Sequence, residues 1–390
     1  MFGRFKTIDL REFVVCLFLI LFKYIPICFF VKLFFKKNIW LISERRNDAR
    51  DNGYWLFKYL RTNHPEIPVF YAIDFGCKDY IRVKDFNNVV NWGSFRHYCL
   101  LSQAVIIAST DFGLGFPRTL MRPILMRIFS LRQKFVFLQH GITKDNLTHA
   151  KKHKLRANLF ICGAKPEYDY ILHNFGYASE ELKYIGFARF DNLFDTSKTR
   201  QILYMPTWRN GLSDNLFSES VFYNTVSHFL SSKELQEYLT DKDIKLVFFL
   251  HPAFRDKKKY FKQFATDRIL IANNDDYDLQ ELLKASSLLI TDYSSIYFDF
   301  AYMGKPVVYY QFDYEEYRKN QYKEGYFSYE KNGFGPVIKT ESRLIEYVKE
   351  IADNKWKNPK EYRLRAETFF PLNDNRNCER HYREMLKLIN

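Results

Sequence analysis

Leu288-Leu289-Ile290-Thr291-Asp292-Tyr293-Ser294-Ser295-Ile296-Tyr297-Phe298-Asp299-Phe300-Ala301-Tyr302-Met303 decides the fold class. A short apolar run stops at a Thr-Asp-Tyr-Ser-Ser turn, and a helical pattern starts at Ile296. Gly304-Lys305-Pro306 then breaks the helix, and Val307–Tyr310 is a second apolar run. Strand, turn, helix, strand is a βαβ unit. The strands are apolar throughout instead of alternating, so both faces are buried, as in a parallel sheet.

The same pattern recurs outward from this stretch. Further strands are expected at Ile39–Ser43, Val69–Asp74, Val89–Trp92, Val105–Ser109, Phe135–Gln139, Leu159–Cys162 and Tyr184–Phe187, then at Ile202–Pro206, Leu246–Leu250 and Ile269–Ala272. Helices are expected at Asn52–Arg61, Phe95–Ser102, Glu167–Asn174, Asp278–Lys284 and Ile296–Met303. A dozen strands exceed one ordinary open sheet, which predicts an α/β chain with two Rossmann-like domains. The polar stretch Asp195–Thr199 marks their boundary. The expected division is a segment 1–37, an N-terminal domain 38–197, a C-terminal domain 198–370, and a helix in 371–390 that crosses back to the first domain.

The chain has 390 residues, 47% hydrophobic and 18% aromatic, with a formal net charge of +14. That composition excludes a wholly disordered chain. It suits a polyanion, a phosphate-rich ligand or an anionic membrane surface. The six cysteines form no CxxC pair, so neither a disulfide framework nor a structural zinc site is expected.

Phe13–Phe35 is almost long enough to span a bilayer, but Lys23, Pro26 and Lys32 interrupt it. Arg4, Lys6 and Arg11 precede it, and Lys36 and Lys37 follow. Basic flanks on both sides favour a membrane-associating segment lying on an anionic leaflet. A signal peptide and a buried first helix are the alternatives. Arg118–Lys134, with five basic residues and no acid, is a second interfacial candidate, or a helix packed on a sheet with a solvated basic face.

In an open parallel sheet, ligands bind beyond the carboxyl ends of the strands. Gln139-His140-Gly141 follows one strand; it puts an imidazole at the sheet edge, and Gly141 lets the backbone turn and approach a ligand. His251-Pro252 follows another, and proline stops the strand there. Two histidines at equivalent strand ends are expected to face one cleft, one as general base and one easing departure of a phosphate. Thr291, Asp292, Ser294 and Ser295 open a helix whose free N–H groups suit an anion; N-capping by Ser294 or Ser295 is the plain structural reading. Pro206-Thr207-Trp208-Arg209 offers a fork for phosphate and a stacking surface.

Arg189 lies in Gly186–Asp191, where an ion pair with Asp191 is its structural alternative. The loop Ser43–Gly53 contains Glu44, Arg45, Asp51 and Asn52, expected on the acceptor side; Asp51-Asn52 serve equally as a helix cap. Lys144–Arg156, rich in lysine and carrying His149 and His153, is expected to steer anions, to touch headgroups, or to be a solvated loop. GxxxxGK[ST], GxGxxG, HExxH and GxSxG are absent, and no histidine pair has convincing metal-ligand spacing.

In order, the chain reads Leu41-Ile42-Ser43-Glu44-Arg45, Asp51-Asn52, Leu138-Gln139-His140-Gly141-Ile142, Gly186, Arg189, Asp191, Tyr204-Met205-Pro206-Thr207-Trp208-Arg209, His251-Pro252, Thr291-Asp292-Tyr293-Ser294-Ser295, Lys305-Pro306 and Phe312-Asp313. Over about residues 38–380 this resembles the CDP-glycerol glycerophosphotransferase family, which builds teichoic acids and related polyol-phosphate capsule polymers. The resemblance implies a GT-B-like fold with a central cleft and a peripheral or monotopic protein on the cytoplasmic face of the cell membrane. It implies transfer of a polyol phosphate from CDP-glycerol or CDP-ribitol to a lipid-linked acceptor, with release of CMP. His140 would be the base and His251 would bind the pyrophosphate. Gly141, Arg189, Thr207 and Arg209 would meet the donor, as would Thr291, Asp292, Ser294 and Ser295.

One departure is Ala188, where the family has proline before the arginine. The chain also shows no long extra N-terminal region, which points to the short or priming members. No resident cofactor or metal is implied, and Mg²⁺ riding on the donor pyrophosphate stays open. The rival readings are a GT-B glycosyltransferase using a nucleotide-sugar, a basic nucleic-acid-binding protein, and a non-catalytic membrane scaffold. No nucleic-acid module is visible, so nucleic acid is not an expected partner.

Overall fold

The computed structural model describes residues 10–31, 38–128, 131–197, 200–209, 212, 217–273, 276–320 and 324–389. They form two compact units. The first takes in the chain up to His140, then Thr148–Asp191 and Asp374–Asn390; the second takes in Gly141–Leu147 and Asn192–Asn373.

The first unit is built on β1 (Ile39–Ser43), β2 (Val69–Ile73), β3 (Val89–Asn91), β4 (Ala104–Ser109), β5 (Lys134–Phe137), β6 (Leu159–Cys162) and β7 (Leu182–Tyr184). These pair in parallel in the order β3-β2-β1-β4-β5-β6-β7. The second is built on β8 (Gln201–Tyr204), β9 (Lys245–Phe249), β10 (Ile269–Ala272), β11 (Leu288–Thr291), β12 (Val307–Tyr310) and β13 (Val337–Ile338). Their order is β10-β9-β8-β11-β12-β13, again all parallel. Both sheets are doubly wound and Rossmann-like, as the strand pattern predicted. Their central strands are buried along nearly their whole length, which is why they read as unbroken apolar runs.

Strand order reverses between β1 and β4 in the first sheet and between β8 and β11 in the second. A doubly wound sheet binds ligands at such switch points. The chain leaves β1 into Glu44-Arg45 and β8 into Thr207–Arg209; it leaves β11 into Asp292–Ser295. Topology alone therefore gathers the polar motif residues of each unit at one place.

Two strands differ from expectation. β7 is Leu182–Tyr184 instead of Tyr184–Phe187. Gly186 sits at φ +77, and a Cβ there would lie 1.8 Å from Asn377 Oδ1, so the chain has already turned out of the sheet. β13 is two residues behind Pro336, too short to show a pattern.

The N-terminal apolar run is helical from Leu10 to Val31, with a wide π-turn at Ile20–Tyr24. That turn lies just before Pro26, whose ring would otherwise meet the carbonyl four residues back. Leu10–Phe29 is long and apolar enough to cross a membrane, with a mean hydropathy of 2.2, and 22% of it is buried. Cys16, Ile20, Tyr24, Ile27 and Val31 form the buried face, and the helix packs on Phe95–Gln103 and Met121–Ile128. Leu10, Val14, Phe18, Leu21, Phe22 and Phe29 are exposed on the rest of the surface. Lys23 is turned inward: its Nζ donates to Gly93 O at 3.1 Å and lies 4.3 Å from the Tyr98 ring centre. Arg4, Lys6, Lys32, Lys36 and Lys37 lie outside the described residues.

In the second interfacial candidate, helix among the described residues covers Met121–Ile128. Arg122 does not serve a solvated basic face. It is buried, donates to Leu155 O at 2.5 Å and Arg156 O at 3.1 Å, and stacks over Phe135.

Candidate functional site

β5 ends at Phe137, and the next residues carry the first histidine. Gln139 adopts a left-handed backbone, φ +56, which is costly for a residue with a Cβ. Its buried side chain is anchored: Nε2 donates to Ile161 O at 2.6 Å and to Glu167 Oε1 at 3.0 Å. Glu167 is itself fixed by Gly163 N at 2.7 Å. On the other side, Asn52 Nδ2 donates to Leu138 O at 3.1 Å and Gln139 O at 2.8 Å.

His140, exposed as a residue, follows this turn with its ring perpendicular to Phe112, ring centres 6.5 Å apart. Crowding by protein strips part of its solvation, and Arg45 and Arg189 repel a proton; a hydrogen bond to the Thr110 backbone and the Asp111 charge oppose them. The balance holds the imidazole at about 4, below its ordinary range. At neutral pH it is uncharged and able to accept a proton. The His149 ring is also perpendicular to Phe112, ring centres 4.3 Å apart.

Arg189 is buried in the tight turn Ala188–Asn192. Its Nη1 pairs with Asp51 Oδ1 at 2.8 Å, and its backbone N–H donates to Asn52 Oδ1 at 3.1 Å. The alternative pair with Asp191 is not the one formed. Asp191 instead accepts from Asn377 N (2.8 Å), Asn377 Nδ2 (2.7 Å) and Cys378 N (2.8 Å), holding the C-terminal helix Asn377–Lys387 in this unit.

Glu44, expected on the acceptor side, is turned into the protein. It is buried and accepts from Arg50 N (2.9 Å), Asp51 N (2.9 Å) and Tyr54 N (2.7 Å), closing the start of the helix Asn52–Asn63. Burial and the nearby Asp51 carboxylate push it up to about 8 despite those bonds. Arg45, next in the chain, is exposed.

In the second unit the two motif loops lock onto each other. Thr291 Oγ1 donates to Met205 O at 2.8 Å. Asp292 Oδ1 accepts from Thr207 N at 2.8 Å, and its Oδ2 accepts from Arg209 Nη2 at 2.8 Å. Arg209 also reaches Asp313, at 2.7 Å from Nε and 3.0 Å from Nη2, and its own Thr207 O at 2.5 Å. Phe222, Tyr293, Phe312 and Tyr317 surround its guanidinium. Thr291, Asp292 and Arg209, which the resemblance put on the donor, thus have these polar atoms satisfied by the protein, and all three are buried. Thr207 Oγ1 is different: it is buried with no hydrogen-bond partner among the described residues.

The helix after this loop is short, Ile296–Tyr302. Ser295 precedes it without a side-chain cap bond, and Ser294 Oγ accepts a long bond from Ile296 N at 3.4 Å. Both serines are half-buried, so simple capping leaves their hydroxyls largely uncommitted. Gly141 packs on this loop; a Cβ there would lie 3.0 Å from Ser295 Oγ. The rest of Gly141–Leu147 is clamped in the same unit. Lys144 and Arg318 flank Asp145 at 2.6 and 3.1 Å, so Lys144 is a buried partner and not a steering charge. His251 ends the stretch after β9, half-buried, with its ring 6.5 Å from that of Trp208. Among the described residues no three His, Cys, Asp or Glu side chains cluster as metal ligands.

A family model for CDP-Glycerol:Poly(glycerophosphate) glycerophosphotransferase matches residues 25–387. The chain belongs to this family. Within it, the chain is 32% identical over 375 residues to the minor teichoic acid biosynthesis protein GgaB of Bacillus subtilis (strain 168), covering 92% of this chain and 41% of that protein. It is 25% identical over 356 residues to the teichoic acid poly(glycerol phosphate) polymerase of the same organism, covering 83% and 45%. The chain thus spans less than half the length of these curated relatives. Among solved structures, the wall teichoic acid polymerase TagF, in a crystal described as soaked with CDPG, matches with a TM-score of 0.70 and 17% identity over 99% of this chain and 100% of that one. A UDP-N-acetylglucosamine 2-epimerase described as putative, from Listeria monocytogenes, matches with a TM-score of 0.57 and 16% identity, covering 90% and 96%. These likenesses bear out the GT-B-like fold class.

This glycerophosphotransferase-family chain also holds residues that strand-end reading passed over. Asp313, quoted above in Phe312-Asp313 but given no role there, lies three residues beyond β12 and joins the Arg209 cluster. Phe112 lies three residues beyond β4 but is apolar, and Glu167 lies inside a helix, so neither was singled out; each acts through a neighbour brought close only by folding.

Proposed function

We propose that this chain transfers glycerol phosphate, or a related polyol phosphate, from a CDP-activated donor to a lipid-linked acceptor, in the synthesis of teichoic acid or a capsule-like polymer. The observation that carries this reading is the uncharged His140 at a strand end beside Arg45 and Arg189, in a chain of this family. The acceptor hydroxyl gives its proton to His140. Its oxygen then bonds to the β-phosphorus of the donor, while the bond from that phosphorus to the CMP oxygen breaks and CMP leaves with the electron pair. Such transfer asks the protein mainly for positioning and charge neutralisation. Arg189, Arg45 and His251 supply charge or donors to the phosphates, and Thr207, Ser294 and Ser295 offer hydroxyls to them. Thr291, Asp292 and Arg209 form the frame behind those hydroxyls.

The chain is proposed to lie on the cytoplasmic face of the cell membrane without crossing it. The helix Leu10–Val31 supports this: one face is packed along the first unit, the opposite face is apolar and exposed, and Lys23 is held inward.

The deciding experiment measures CMP release from CDP-glycerol, then from CDP-ribitol, with a lipid-linked acceptor. Acceptor-dependent CMP from either donor supports the reading and identifies the polyol. Absence of CMP from both overturns it, and release of a nucleoside diphosphate from a nucleotide-sugar would favour a glycosyltransferase.

A further inference from the structure

Asn52 is buried, and its side-chain amide is bonded to the segments after two strands at once. Its two N–H donors go to the carbonyls of Leu138 and Gln139, and its oxygen accepts from the Arg189 N–H. No other side chain of this size carries two donors and an acceptor on one planar group. The Gln139 carbonyl belongs to the peptide plane that leads into His140. That plane follows a left-handed residue, which would relax if nothing opposed it. The opposing grip comes from both sides: Asn52 on the backbone, and Glu167 with Ile161 O on the Gln139 side chain. Next to Asn52, Asp51 holds the Arg189 guanidinium.

We propose that Asn52 is a positioning residue for the transfer, one that sets the aim of the His140 imidazole and the Arg189 backbone together, with Gln139 and Glu167 as its counterpart. Asn52 therefore meets neither donor nor acceptor. The inference rests on His140 being the base. It explains why a strained residue stands directly before that histidine: the strain turns the chain out of β5, and the bracket keeps it there.

The test compares Asn52→Ala, Asn52→Asp and Gln139→Gly in the full chain. Asn52→Asp keeps the acceptor for Arg189 N–H but puts a carboxylate against two carbonyl oxygens. Gln139→Gly keeps the left-handed backbone but loses the side-chain anchor. Misaiming a catalytic group by an ångström costs up to about a hundredfold. Each variant is expected to lose about tenfold to a hundredfold in kcat, with donor KM within about twofold. By NMR titration, the His140 midpoint in Asn52→Ala is expected to rise from about 4 toward its usual range. Unchanged kcat in Asn52→Ala overturns the proposal. An unmoved His140 midpoint, with loss of melting temperature as the only effect, reduces Asn52 to a structural residue and overturns it as well. Should Asn52→Ala not fold, Asn52→Asp decides by the same two readouts, since it breaks the two bonds to the Leu138 and Gln139 carbonyls while keeping the side chain's size. The titration needs no turnover, so a shifted midpoint in a chain that releases no CMP would separate failure of the activity from failure of the bracket.

Discussion

Arg209 and Asp292 form an ion pair 2.8 Å long whose side chains are 8% and 1% exposed. It joins the loop after β8 to the loop after β11, at the point where strand order reverses. Because Asp313 pairs with the same guanidinium, one cation is shared by two carboxylates in an aromatic shell. Removing a partner from such a cluster is costly, since it strands the remaining charges.

Asp292→Ala is therefore expected to destabilise the chain by about 3–5 kcal/mol, read from urea unfolding. Ser294→Ala, two residues on and half-buried, should leave stability within about 0.5 kcal/mol and raise the donor KM. If Asp292→Ala unfolds like the parent, the cluster is not what holds the two loops.

Gly141 and Ser295 are packed so tightly that an added methyl would sit 3.0 Å from the serine oxygen. Gly141→Ala should raise the donor KM several-fold. In a Ser295→Gly background, itself weaker for the donor, the same Gly141→Ala change should cost less, because the clash is gone. Two independent, additive losses in the double variant would show that the contact does not matter.

Burial and the charges of Arg45 and Arg189 push the His140 imidazole down to about 4, which leaves it uncharged and able to accept a proton over the physiological range. Protonation blocks it, which makes acid the inactivating direction. The kcat/KM profile is expected to stay flat as pH falls from 8 to about 5, and to drop as it passes through about 4. A limb at the usual histidine value, about 6.5, would contradict the assignment of the depressed group as base. His140→Ala should abolish turnover with the fold intact by circular dichroism.

Phe18, Phe22 and Phe29 are exposed on the N-terminal helix, whereas Ile20 and Tyr24 are buried against the first unit. Changing the three phenylalanines to serine should release the chain from anionic vesicles in a sedimentation assay while leaving its melting temperature close to the parent's. Continued sedimentation of the triple variant would place the membrane contact elsewhere.

Much of the fold was legible in the sequence because fully buried parallel strands leave continuous apolar runs. Ile39–Ser43, Leu159–Cys162, Ile269–Ala272, Leu288–Thr291 and Val307–Tyr310 begin and end where those runs do. The displacement of β7 was not legible, because the glycine that ends it answers to Asn377, nearly two hundred residues away.

The candidate site divides along the same line. By itself, the sequence determined that His140, Arg189, Thr207, His251 and the Asp292–Ser295 turn stand just beyond strands, since each follows the end of an apolar run. Only the tertiary structure decided which of them keep a free polar face. Thr291, Asp292, Arg209 and Glu44 are satisfied within the protein, while the Thr207 hydroxyl has no partner among the described residues and His140 is exposed and uncharged at neutral pH. The physical reason is that a hydrogen-bond partner is a neighbour in space, and the partners here come from strands far apart in the chain.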